Sequence, residues 1–259
     1  METVAIGPPK YRITVDWAQP WFRPWSVIGA PIARAINHGT PFWDACNARC
    51  GTPVRFVAQV PLATGAAYEL AIHETGNCPT REGLHDFFNA LCWMRYPHTK
   101  RKLNRLQVEQ IATLGIGAAR GAARDALTLF DENAALLQAP DALWNALLAK
   151  DWQPLFGELR AQWAHAQVHP FGHALLEKLA VPRKSIAAHV YRVPSHLPDD
   201  EALDNWLASH LSADLLAHKP FANLPILGIP GWWAGNQDPA FYDDPAVFRR
   251  PRANATRGQ

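Results

Sequence analysis

Apolar positions recur at helical spacing through much of the chain and alternate like strands in a few short stretches. Thr40-Pro41 reads as N-cap and first helical residue of a short helix to about Cys50. Val54–Val60 and Tyr68–Ile72 alternate like strands, with a turn at 63–65 between them. Thr80 can cap a helix running to about Tyr96, which Pro97 stops; a second helix spans about His98–Leu114 and ends in Gly115-Ile116-Gly117. Leu127–Phe130, Asp131-Glu132-Asn133 and Ala134–Leu137 read as strand, tight turn and strand. Helical patterns follow over about 141–149, 152–166 and 170–180, and Val181–Val193 fits either strand or helix. Asp199-Asp200-Glu201 load the start of a helix to about His218 with the charge its N-terminus favours.

Helices outnumber strands, so the pattern predicts an α+β class: one helix-rich compact domain over 1–259, with a small sheet or hairpins. Both ends read as irregular and aromatic-rich. An arm over 1–25 carries Trp17, Trp21, Phe22 and Trp25 between prolines, and the Pro230–Trp233 stretch precedes a basic, frayed tail over 249–259.

Composition narrows this only a little. With 259 residues, 48% hydrophobic and 19% charged, the chain is globular and long enough for a real core. Its 25 basic and 23 acidic residues leave a net +2, so bulk charge nominates no nucleic-acid partner. No basic n-region and apolar h-region open the sequence, and no apolar run approaches a membrane span, which predicts a cytoplasmic protein. Cys46, Cys50, Cys78 and Cys92 are too few for a disulfide framework. The Cys46/Cys50 pair alone is weak for zinc, and buried thiols are the plainer reading.

The richest chemistry lies on the helix after Thr80. His85 and Asn89 are four apart, Asp86 and Asn89 three apart, and Arg81 lies one turn before His85. An imidazole, a carboxylate, an amide and a guanidinium on one flank suit acid–base work; the plainer alternative is an ordinary surface network. Asp131 and Glu132 at the turn, with His173 one turn before Glu177, add candidates for a divalent metal or a second acid–base pair. Each also has a bland reading, as a tight turn and a surface pair. Arg95, Lys100, Arg101, Lys102 and Arg105 form an acid-free basic stretch that reads first as a solvated helix face. No Walker A, dinucleotide fingerprint or nucleophile elbow is present.

Several of these runs resemble an uncharacterised proteobacterial family, domain of unknown function 3025. They are Pro79-Thr80-Arg81, Leu84–Leu91 with Trp93, Pro97-x-x-Lys100, Arg124–Asn133, Phe171–Leu175 with Lys178, Leu227–Trp233 and Phe241–Pro245. The resemblance spans about residues 20–250 and implies no activity. Ala134 departs from the glycine expected after Asp-Glu-Asn.

Two functions follow from these residues. In one, a hydrolase-like enzyme uses Arg81, His85, Asp86, Asn89 and Glu177 on a small anionic or phosphate-containing ligand, with a divalent metal on Asp131, Glu132 and His173 as an open cofactor question. In the other, a non-catalytic module presents its tryptophans, or the basic stretch 95–105, to a protein or RNA partner. The first requires that His85, Asp131/Glu132 and His173 meet in one cleft.

Overall fold

A computed structural model describes residues 11–49, 51–59, 68–115 and 121–250. In chain order the elements are α1 (Ser26–Asn37), α2 (Phe42–Asn47), β1 (Arg55–Ala58), α3 (Tyr68–Thr75), β2 (Asn77–Thr80), α4 (Leu84–Arg95), α5 (Pro97–Leu114) and α6 (Ala122–Asn133). They continue as β3 (Ala134–Gln138), α7 (Asp141–Ala149), β4 (Gln167–Pro170), α8 (His173–Ala180), β5 (Ala187–Arg192), α9 (Asp200–His210), α10 (Ala213–Ala217) and β6 (Ala222–Pro225). Helix predominates over two small sheets, the expected α+β class.

The chain divides into two compact units. One takes the described residues up to Ala134 together with Pro170–Ala180 and His196–Pro220; the other takes Ala135–His169, Val181–Ser195 and the described residues from Phe221 on. In the second unit a four-stranded sheet runs β4-β3-β5-β6, with β5 and β6 antiparallel and Ala188 opposite Leu224. Its β3 is buried along its whole length. A single π-helical turn (Pro154–Glu158) and a 3-10 segment (Arg160–His165) stand where one helix over 152–166 is expected.

The first unit holds most of the candidate residues. Its core is aromatic. Phe22 stacks on Phe88 with centroids 5.4 Å apart, Trp25 meets Tyr96 edge to face at 6.0 Å, and Phe171 sits 5.2 Å from Tyr96 and 5.1 Å from Phe130. Trp21, Phe22 and Trp25 are each 1% exposed. The N-terminal aromatics therefore complete this core, and the expected tryptophan-lined docking surface does not exist at Trp21 and Trp25.

Two expectations are corrected here. Tyr68–Ile72 is not a strand but the start of α3, and the strand that pairs in parallel with β1 is β2, with Phe56 opposite Cys78. The hairpin at 127–137 is replaced by α6 running into β3, so Asp131 and Glu132 lie in the last turn of a helix and not at a hairpin tip. Ala126, Leu127 and Phe130 fall on one helical face and are fully buried, and that burial overrides the local β-like alternation.

Helix α5 is anchored from outside. Pro97 takes its first position, where the missing N–H costs nothing. The carboxylate of Asp204, on α9 and 2% exposed, accepts the free N–H groups of His98 at 2.9 Å and Thr99 at 2.7 Å. A buried carboxylate is thus satisfied by donors the helix cannot use itself, and the next residue, Lys100, is held facing inward.

Candidate active site

Asp86 lies in the first turn of α4, where its side chain can reach back over the helix start. One carboxylate oxygen accepts the Arg81 backbone N–H at 2.6 Å and faces Arg81 Nε at 3.4 Å; the other bonds His85 Nδ1 at 2.8 Å. Burial pushes the Asp86 carboxyl up, but His85 and the Arg81 N–H outweigh it and hold the carboxyl below its usual range. The same hydrogen bond to Asp86, ahead of the opposing effect of burial, raises the His85 imidazole above its ordinary value. Because a carboxylate only accepts, His85 Nδ1 donates to it, and Nε2 remains as the nitrogen that can take or give a proton.

Lys100 comes from α5. Its side chain is 4% exposed, and the ammonium donates to Asn89 Oδ1 at 2.9 Å and sits 2.5 Å from Asp131 Oδ1. It also lies 5.4 Å from the centre of the Trp93 ring. Two of its three N–H groups are thus taken, and among the described residues no oxygen or nitrogen takes the third. Burial would raise the Asp131 carboxyl; the Lys100 charge outweighs it and keeps the carboxylate ionised. Asn89 reaches the Tyr68 hydroxyl at 3.5 Å, and that hydroxyl lies 3.2 Å from Cys78 Sγ. Burial raises both Tyr68 and Cys78, so both stay protonated.

His173 opens α8. A Cβ on Gly172 would stand 2.3 Å from the Glu132 carbonyl oxygen and 2.4 Å from Asn133 N, so only glycine lets this chain pass against the end of α6. The contact brings His173 Nδ1 to 2.9 Å from the Asp131 carbonyl, and to 3.7 Å from its carboxylate. Burial drives the His173 imidazole down to about 4, against the pull of Asp131 and with help from Lys100. The ring is therefore neutral near pH 7; it donates from Nδ1 to the carbonyl and carries its lone pair on Nε2. It meets the His85 ring edge to face, centroids 4.6 Å apart.

These groups line one cavity of about 450 Å³. Arg81, His85, Asp86, Asn89, Asp131, Glu132 and His173 all contribute to its wall, so the three sequence segments converge within one unit. Arg81 lies at the rim with its side chain 67% exposed. Glu177 is not among the lining residues; its charge acts on His85 only from a distance, favouring the protonated ring. Among the described residues no three His, Cys, Asp or Glu side chains are grouped to hold a metal ion. Asp131, Glu132 and His173 do not form such a group, and the Asp131 carboxylate faces an ammonium instead. Cys46, Cys78 and Cys92 are free and buried, and burial pushes Cys46 and Cys92 up to about 12, as expected of structural thiols.

Sequence reasoning missed Lys100, Tyr68, Trp93 and Gln107. A signal for Lys100 was there: Lys100, Leu103, Gln107 and Ile111 fall on the same buried stripe of α5. A lysine in line with a core stripe has to be satisfied inside.

No curated protein and no solved structure matches the chain. A family model described as protein of unknown function (DUF3025) matches residues 54–252, the stretch that contains all the described residues lining the cavity. The chain belongs to that family.

Proposed function

We propose that the cavity is the active site of a hydrolase acting on a small anionic substrate, with His85 as general base and then general acid. The observation that carries this reading is the His85–Asp86 pair. An imidazole is fixed through Nδ1 by a carboxylate that is itself fixed by a backbone N–H, and it stands at the wall of a cavity that also holds a buried ammonium.

Each group then has a distinct part. His85 Nε2 takes a proton from water, Asp86 holds the ring and offsets the charge it gains, and the third Lys100 N–H faces the oxygen on which negative charge develops. Neutral His173 supplies an acceptor at Nε2 for a substrate hydroxyl or for the water. Arg81, at the rim, offers a guanidinium to an anionic group. A cytoplasmic setting fits the three free thiols.

The test is an assay of the purified protein on a panel of small phosphate and carboxylate esters, alongside His85→Ala. The reading predicts hydrolysis of at least one class, reduced about 10²-fold or more in His85→Ala, the usual weight of a positioned acid–base group. Silence across the panel, or equal rates in the variant, would contradict it.

A further inference from the structure

Helix α5 carries a second face. His98, Arg101, Lys102 and Arg105 follow i, i+3, i+4, i+7 spacing, so they share a side of the helix distinct from the Lys100 stripe. That side borders a second cavity in the same unit, of about 470 Å³. His73 from α3 joins the four, and among the described residues lining this cavity none is acidic. Its remaining wall includes the apolar side chains of Val54, Ile72 and Trp93. The Arg105 guanidinium faces Glu109 at 3.4 Å, but both side chains are more than half exposed, and such a pair is worth little. Among the described residues no carboxylate stands within ion-pair distance of Arg101 or Lys102.

Ile72, Trp93 and Asn104 line both cavities, so the basic cleft and the His85 cavity are neighbours across these three side chains. Three permanent cations over an apolar wall suit a compact multiply charged anion that carries a less polar remainder. A half-open groove of this size has room for a small molecule and not for a duplex.

We infer that this cleft binds the oligophosphate portion of a small ligand, and that this ligand is the substrate whose reacting end lies beside His85. The second clause rests on the reading of the His85 cavity as a reaction site; the first does not. The anion is thereby assigned to Arg101, Lys102 and Arg105 ahead of Arg81.

The test uses inorganic pyrophosphate and calorimetry on the full chain in about 10 mM buffer, where charges act across roughly 30 Å. Binding is expected in the parent protein and in His85→Ala, and about tenfold weaker or worse in Arg101→Ala/Arg105→Ala. No binding by the parent protein, unchanged binding in the double variant, or loss confined to Arg81→Ala would overturn the site. A single-stranded RNA 12-mer that binds more than tenfold tighter than pyrophosphate would overturn the assignment to a small ligand. Pyrophosphate in the cleft should also move the His85 titration midpoint upward. An unmoved midpoint would sever the cleft from the reaction site while leaving the hydrolase reading intact, and a silent ester panel with pyrophosphate bound would do the reverse.

Discussion

The imidazole rings of His85 and His173 meet edge to face 4.6 Å apart, although 88 positions separate them in sequence, and their surroundings drive them to opposite charge preferences. Asp86 bonds the first and raises it; burial beside Lys100 lowers the second to about 4. Groups of one kind pushed apart in this way are candidates for separate acid and base roles.

The low His173 value has a consequence for stability. In the unfolded chain this imidazole protonates near its ordinary 6.5, but in the folded protein only near 4, so the native state binds fewer protons in between. Stability contributed by the neutral ring is complete above about 6.5 and is lost as pH falls toward 4, by roughly 3 kcal/mol at about 1.4 kcal/mol per unit. Thermal unfolding from pH 7 to 4 should show this acid limb, and His173→Gln should flatten it. Asp86 and Asp131, held below their ordinary values, lose their contributions only at lower pH.

Lys100 and Asp131 should be strongly coupled. Removing one partner of a fully buried pair costs about 3–5 kcal/mol. The Asp131 side chain is 27% exposed, so Lys100→Met is expected to cost somewhat less, about 2–3 kcal/mol in urea unfolding. Asp131→Asn in the Lys100→Met background should recover about 1 kcal/mol or more, since it removes the orphaned charge. Strictly additive losses would show that the two groups do not meet.

Gly172→Ala probes the passage of α8 against the end of α6. The added methyl would collide with backbone, not with a flexible side chain, so the cost is expected to exceed about 2 kcal/mol. The variant should also disturb His173, its neighbour. A change in unfolding free energy below about 0.5 kcal/mol would mean the two segments lie farther apart.

Much of this fold is written locally. The helix over 141–149 follows from Pro140-Asp141 and the apolar spacing after it, and α4 and α5 are separated where Pro97 forbids continuation. What local pattern could not supply was the partner of each face. Leu127-Thr128-Leu129-Phe130 alternates like a strand, yet Leu127 and Phe130 are buried from one side of a helix. Tyr68, Leu70 and Ile72 mimic alternation, but among these only Ile72 is fully buried. The site was legible in part. His85, Asp86 and Asn89 share a helical flank by spacing alone, and His173 with Glu177 one turn on is visible as a pair. Lys100 is hidden, because a lysine in a basic run reads as solvated until Asp131 and Asn89 are placed against it.

The most direct check is an NMR titration of the histidine ring signals in the parent protein and in Asp86→Asn. The account predicts that His173 stays neutral with its proton on Nδ1 until about pH 4, and that His85 titrates above its ordinary 6.5 and drops when Asp86 loses its charge. It further predicts that the His173 signals shift as His85 takes up its proton. Two histidines titrating independently near 6.5, unaffected by Asp86→Asn, would contradict it.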